Sequence, residues 1–246
     1  MIPFGLSSLM TVSMPVARRT TKCLVPGASA VYLCNQGTGT TLTDFSGNGL
    51  DGTFGATTKA PTWATEGVLF DGGDYVTLPN LPTIQSIAVV FYAPADIGPA
   101  TAATALFGCT SGGVSYPGLK LGASASDLTN EIIAAVPDAA GRAGWCDAAG
   151  SIAAGWHLLS VNFTGTAWTI TLDGAAKTVT PAGTQAPFVT PTAPFVGAGS
   201  AASGFLVNGS KVAALLLYPS SLTATQEAQN ATALEAMLAP RGVTLP

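Results

Sequence analysis

Asp44-Phe-Ser-Gly-Asn-Gly-Leu-Asp-Gly-Thr-Phe54 and Glu66-Gly-Val-Leu-Phe-Asp-Gly-Gly-Asp-Tyr-Val-Thr-Leu-Pro79 are the stretches on which the fold turns. In the first, Ser46-Gly-Asn-Gly49 gathers residues that tolerate a positive φ into one tight corner. In the second, Val68 and Phe70, then Tyr75-Val-Thr-Leu78, set β-branched and aromatic residues at strand spacing. Between them, Asp71-Gly-Gly-Asp74 has hairpin composition. Two glycine-rich turns, each feeding a strand, predict an antiparallel β protein.

The pattern continues outward. Ser29-Ala-Val-Tyr-Leu-Cys34 predicts a first strand, and Ser86-Ile-Ala-Val-Val-Phe-Tyr92 is an apolar run that predicts a buried one. Residues 105–109, 118–123 and 131–136 read as further strands. Trp156-His-Leu-Leu-Ser-Val-Asn-Phe163 alternates, Gly165-Thr166 turns it into a strand over 167–172, and Asp173-Gly174 turns that into 177–179. Four prolines make 181–194 an irregular loop. Phe195-Val-Gly197 and Lys211-Val-Ala-Ala-Leu-Leu-Leu-Tyr218 complete the set. Near the end, Thr223 with Gln226 forms a capping box. Leu234, Met237 and Leu238 share one helical face, and Pro240 stops the helix.

Composition narrows the function classes. The 246 residues show no internal period and suit one large β domain. Only 9 % are charged and 48 % are hydrophobic, the opposite of a disordered chain. The surface is therefore built from Thr, Ser, Ala and Gly, and so neutral a surface resists association weakly. It is either buried against other protein or the exterior of a stable extracellular module. The net charge is −4, and basic residues gather only at Arg18, Arg19 and Lys22, which argues against nucleic acid as a partner. No window reaches a membrane span of about 18–20 apolar residues. Residues 1–16 are apolar, but their positive charges follow rather than precede them, unlike a secretory signal.

Residues 1–26 carry no acid and contain Pro3, Pro15 and Pro26, so they read as an extended arm before a domain over 27–246. The arm covers its own domain or anchors a neighbouring subunit, through Phe4, Leu6, Leu9 and Met10 with Arg18 and Arg19 beside them. Cys23, Cys34, Cys109 and Cys146 have no zinc spacing and read as free thiols of a reducing cytosol. Cys23 and Cys34 are the pair to suspect if a bridge exists.

Taken in order, the Asp44–Gly49 turn, the Gly67–Leu78 stretch, the Trp156 strand, the Trp168–Gly174 strand-and-turn and the Lys211–Tyr218 strand leading to a helix resemble a laminin-G-like (concanavalin A-like) domain. The resemblance implies an all-β, antiparallel jelly-roll β-sandwich with an N-terminal arm and one short C-terminal helix. That fold serves lectins, glycosidases and structural modules alike. Some relatives bind calcium. This chain has Cys34-Asn-Gln36 and Lys211-Val-Ala213 where many relatives have acids, which leaves Asp44, Asp71 and Asp74 as calcium candidates. A calcium site takes about six to eight oxygens, and the other reading of Asp71 and Asp74 is turn stabilisation.

Catalysis is not expected. A glycosidase needs two carboxylates about 5–10 Å apart, and none of Glu66, Glu131, Glu227 or Glu235 has an acidic partner two residues away. His157 is the only histidine, so any Ser-His-Asp set would have to use it. Two binding readings remain. The arm, the single sandwich and the neutral surface resemble bacteriophage accessory proteins. That implies a structural virion protein, a capsid decoration or tail accessory, made in the host cytoplasm and displayed on the virion surface. Its partners would be major capsid or tail proteins and copies of itself. The alternative is a carbohydrate-binding module, free or secreted, that recognises surface glycans through Trp145, in the glycine-bounded loop Gly144-Trp-Cys-Asp-Ala-Ala-Gly150, and through Tyr116 and Trp63. Trp168 and Trp156, on strands, read as core. Asn162, Asn208 and Asn230 open glycosylation sequons, which matter only on a eukaryotic secretory route.

Overall fold

The computed structural model describes residues 23–95, 104–108, 110–111, 114–115, 118–122, 131–137, 143–149, 152–165, 167–179, 193–198 and 205–246, with side chains throughout except at 104, 110–149, 177 and 179. In chain order its strands are β1 (Ala30–Tyr32), β2 (Thr41–Leu42), β3 (Gly52–Phe54), β4 (Thr62–Trp63), β5 (Val68–Leu69), β6 (Val76–Thr77), β7 (Ser86–Ala93), β8 (Thr104–Gly108), β9 (Thr110–Ser111) and β10 (Val114–Ser115). They continue as β11 (Gly118–Gly122), β12 (Glu131–Pro137), β13 (Ala143–Ala149), β14 (Gly155–Phe163), β15 (Trp168–Leu172), β16 (Ala175–Val179), β17 (Phe195–Val196) and β18 (Lys211–Tyr218). The first sheet runs β16-β15-β14-β7-β18-β5-β4, with β1 added beside β18; the second runs β13-β12-β11-β8-β17-β6-β3-β2. The pairings are antiparallel, and the chain is an all-β sandwich with one C-terminal helix, α1 (Ala224–Leu238).

The apolar runs of β7 and β18 are continuous because these central strands are covered on both faces. Ile87, Val89 and Phe91 of β7 point between the sheets and join Tyr32, Phe70, Phe107 and Trp168 in the main core. Ala88 and Val90 point the other way, into a second core closed by Leu234 and Leu238 of α1. Burying two such leucines contributes on the order of 4 kcal/mol. In β18 the register against β7 slips between Val212 and Ala214. Without that bulge the alternation from Val212 would aim Ala214 and Leu216 at the main core; with it, Leu215 and Leu217 fill the core and Leu216 and Tyr218 face α1. The Thr223 capping box forms as the sequence predicts: Gln226 N donates to Thr223 Oγ1, and Thr223 N donates to Gln226 Oε1.

Two expectations need correction. Asp71–Asp74 does not close a hairpin, because β5 pairs with β18 and β4 in the first sheet while β6 pairs with β17 and β3 in the second. The turn carries the chain across the core, and Asp71 N donates to Asp74 Oδ2 within it. Residues 144–149 are not a loop either: 143–149 are β13, and Trp145 pairs with Ala135 of β12. Cys23 and Cys34 are free thiols, as the sequence reading has them. Cys23 is exposed, and Cys34 is a buried thiol whose pKa burial pushes up to about 12. The end of the arm belongs to the domain: Leu24 and Val25 lie in the second core, and Val25 N donates to Asn230 Oδ1 at 2.9 Å.

Candidate functional site

The decisive turn of the sequence is a staple. The Asp44 carboxylate accepts hydrogen bonds from Val31 N, Ser46 N, Ser46 Oγ and Leu50 N. Asn48 Nδ2 donates to Ala28 O and Ser29 O, which fixes the entry to β1. Asp44 thus spends its oxygens on the fold. Asp71 and Asp74 meet only in their own turn, and burial, then the nearby Asp71 charge, pushes the Asp74 carboxyl up. Among the described residues no three His, Cys, Asp or Glu side chains gather where they could hold a metal ion. A cleft of about 290 Å³ opens beside the staple, but its polar side chains Ser46 and Asn48 are already bonded to the main chain.

The aromatic candidates disperse. Trp63 packs on Phe54 at 5.0 Å between centroids and donates its Nε1–H to Gly39 O, so it closes the side of the sandwich. Trp145 lies on β13 with its side chain outside the described residues, as does Tyr116 altogether. The anchoring candidates Phe4, Leu6, Leu9, Met10, Arg18 and Arg19 are also outside them.

A different set comes together on the outer face of the first sheet. Trp156 stands opposite Tyr92, Tyr92 opposite Lys211, Lys211 opposite Leu69, and Leu69 opposite Thr62. Directly opposed residues share a face, and neighbouring strands lie about 4.8 Å apart, so these five form a straight row of about 19 Å across β14, β7, β18, β5 and β4. Each is partly or fully exposed, whereas Ala88, Val90, Ala214 and Leu216 on the same face lie in the second core under α1 and residues 24–25, and Trp156 packs against the edge of that core. Trp156 and Tyr92 meet edge to face at 5.4 Å, and Lys211 Nζ lies 5.7 Å from the Tyr92 ring centre. Lys211 Nζ is also 3.1 Å from Glu66 Oε1. The backbone amide of Glu66 and then the Lys211 ammonium hold the Glu66 carboxyl below the usual range. Behind this pair Arg241 donates to Leu33 O at 2.7 Å, Cys34 O at 2.9 Å and Thr65 O at 3.3 Å, and also to Glu66 O. The arrangement offers ring faces, one carboxylate and one ammonium along one sheet face.

Just inside this row, His157 serves the fold. Its Nδ1 is 2.7 Å from Asp173 Oδ2 and its Nε2 is 2.9 Å from Ala153 O. Both partners are acceptors, so the doubly protonated ring satisfies both. Burial works against that charge, but the Asp173 carboxylate and Ala153 carbonyl outweigh it and hold the pKa above its ordinary value. Asp173 Oδ1 also accepts from Leu158 N, which pins the β15–β16 turn where Asp173 has φ 50. A folded pKa above the unfolded value of about 6.5 gives stability that is complete below that pH and is lost as pH rises through the folded pKa. In denaturation midpoints, the gap between the native chain and His157→Gln is therefore expected to be widest near pH 5.5 and to narrow by about pH 8.5. A gap that is constant with pH would remove the charge from the account.

No protein-family model matches the chain and no curated protein is similar to it. Solved structures are. Domain 4 of AbnA, a GH43 extracellular arabinanase from Geobacillus stearothermophilus, solved with arabinotriose, aligns over 84 % of this chain and 98 % of that domain at 20 % identity, with a TM-score of 0.58. Trypanosoma rangeli sialidase in complex with sialic acid aligns over 86 % of this chain at 11 % identity, with a TM-score of 0.62, and this chain spans 33 % of its length. A mutant of HCR/D aligns over 86 % of this chain and 52 % of its own at 11 % identity, again with a TM-score of 0.62. At these identities the likeness is one of fold, and the fold held in common is an antiparallel, lectin-like β-sandwich.

Proposed function

We propose that this chain is a carbohydrate-binding module that holds a glycan along the Trp156–Tyr92–Lys211–Leu69–Thr62 row and does no chemistry on it. The carrying observation is the row itself: two partly exposed aromatic rings and an ion pair aligned across five strands. Ring faces stack against the apolar faces of sugars, while a few placed polar groups fix orientation. The fit to an arabinotriose-bound domain over 98 % of that domain supports the same reading. The test is an oligosaccharide array followed by calorimetry. Trp156→Ala and Tyr92→Ala are each expected to weaken binding tenfold or more, the size of an aromatic anchor lost from an interface, about 1.4 kcal/mol. Trp156→Phe, which keeps a ring in place, should retain most of the affinity. Both alanine variants binding at native strength would end the proposal.

Display on a virion is a separate proposal, resting on the arm rather than on the sheet. Its test is deletion of residues 1–22: a shortened chain that still joins a particle in normal amounts ends it.

A further inference from the structure

We infer that the row selects neutral glycans, and that Glu66 is the residue that sets this preference by occupying Lys211. The inference rests on the carbohydrate reading above and adds to it the charge class of the ligand. Among the described residues two cations stand at this end of the face, and both are committed. Lys211 Nζ is 3.1 Å from Glu66 Oε1 and covers the edge of the row against Tyr92. Arg241 directs its donors at main-chain carbonyls of Leu33, Cys34, Thr65 and Glu66.

A sugar carboxylate arriving at the row would meet an ammonium already neutralised and a second carboxylate beside it. To pair with Lys211 it would have to displace Glu66, leaving two carboxylates around one cation, an arrangement in which like charges oppose each other. A sugar hydroxyl has no such conflict. It donates and accepts at once, so adjacent hydroxyls can donate to Glu66 and accept from Lys211 while the pair stays intact. Hydrogen bonds to charged partners are the stronger kind, so the pair anchors a polyol at the point where the aromatic strip ends. The pair is only partly exposed, so it is screened less than a free surface pair would be.

The experiment uses one sugar backbone in a charged and a neutral form, hexagalacturonate and its fully methyl-esterified form, with arabinotriose as a further neutral probe. Each is titrated into the full chain and into Glu66→Gln at low and moderate salt. The native chain is expected to bind the neutral probes at least tenfold more tightly than hexagalacturonate. Glu66→Gln releases Lys211, so its preference should narrow to threefold or less, and its hexagalacturonate affinity should become salt-dependent. A native chain that prefers hexagalacturonate, or a preference unchanged by Glu66→Gln, overturns the inference while leaving the carbohydrate reading in place. Binding of none of the three probes by the native chain overturns the inference, and a blank oligosaccharide array overturns the reading beneath it.

Discussion

Gly197→Ala is expected to remove about 4 kcal/mol of folding stability, the sum of a strained backbone and an overfilled core. Gly197 holds φ +83, which alanine adopts only with strain. A Cβ built there would sit 2.8 Å from Cζ of Phe70, and closer still to its Cδ1 and Cε1. The Phe70 ring is fully buried between the sheets and has no room to retreat. The glycine cannot move away either. Its amide donates to Leu106 O at 3.1 Å, and its carbonyl accepts from Leu206 N at 2.8 Å, so it is tied on both sides. At this chain length the loss corresponds to roughly 8–16 °C in Tm. The direct measurement is a urea midpoint that falls with an unchanged slope. A loss below about 1 kcal/mol would mean that the Phe70 ring repacks, and that the close approach of strand to ring is not a constraint.

The same residue shows what the sequence makes legible. Phe195-Val-Gly197 reads as the end of a strand from local composition, and so do the Ser46–Gly49 corner, the β7 run and the Thr223 cap. All are decided by residues within a few positions of one another. What fails is whatever depends on a distant partner. Asp71-Gly-Gly-Asp74 has hairpin chemistry, but besides their nearer partners β4 and β3, β5 pairs with Lys211–Val212 and β6 with Phe195–Val196, each more than a hundred residues away, and the two lie in different sheets. The outer-face row is hidden for the same reason. Its members are drawn from positions 62, 69, 92, 156 and 211, and only strand register lines them up. One signal was available. In β14, His157, Leu159 and Val161 alternate as the buried face, which puts Trp156 on the opposite side with Ser160, away from the main core. A place on a strand makes Trp168 core, but parity puts Trp156 on the other face, where it is half-buried against the second core.

Asn162→Ala is the second large loss, and it bears on the sequons. Although Asn162 opens Asn162-Phe-Thr164, its side chain is buried inside the junction of β7, β14 and the approach to α1. Its Oδ1 accepts from Ser86 Oγ and Leu222 N, and its Nδ2 donates to Leu222 O. Leu222 stands one residue before the Thr223 cap, so this amide fixes where the helix starts over the second core. Alanine keeps none of these bonds. Ser86 Oγ can still serve Leu222 N and Ser220 O, but Leu222 O is left buried with no donor from that side. The unpaired carbonyl and the vacated volume together are expected to cost about 3 kcal/mol. Thr164→Ala destroys the same sequon, but Thr164 is exposed and its hydroxyl donates to Ala167 O at the surface, so its cost is expected to stay within about 0.5 kcal/mol. Urea denaturation of the two variants side by side separates the roles. A large loss for Asn162→Ala alone makes the asparagine a structural amide. Equal losses would show that what the two residues share is their sequon, and the buried network would not be what holds α1 in place. Asn230 follows the same logic: it is buried, and its Oδ1 accepts from Val25 N and Tyr218 OH, tying the end of the arm to α1. Of the three sequons, only Asn208 stands exposed to solvent, so a glycan on the folded chain would have to be carried there.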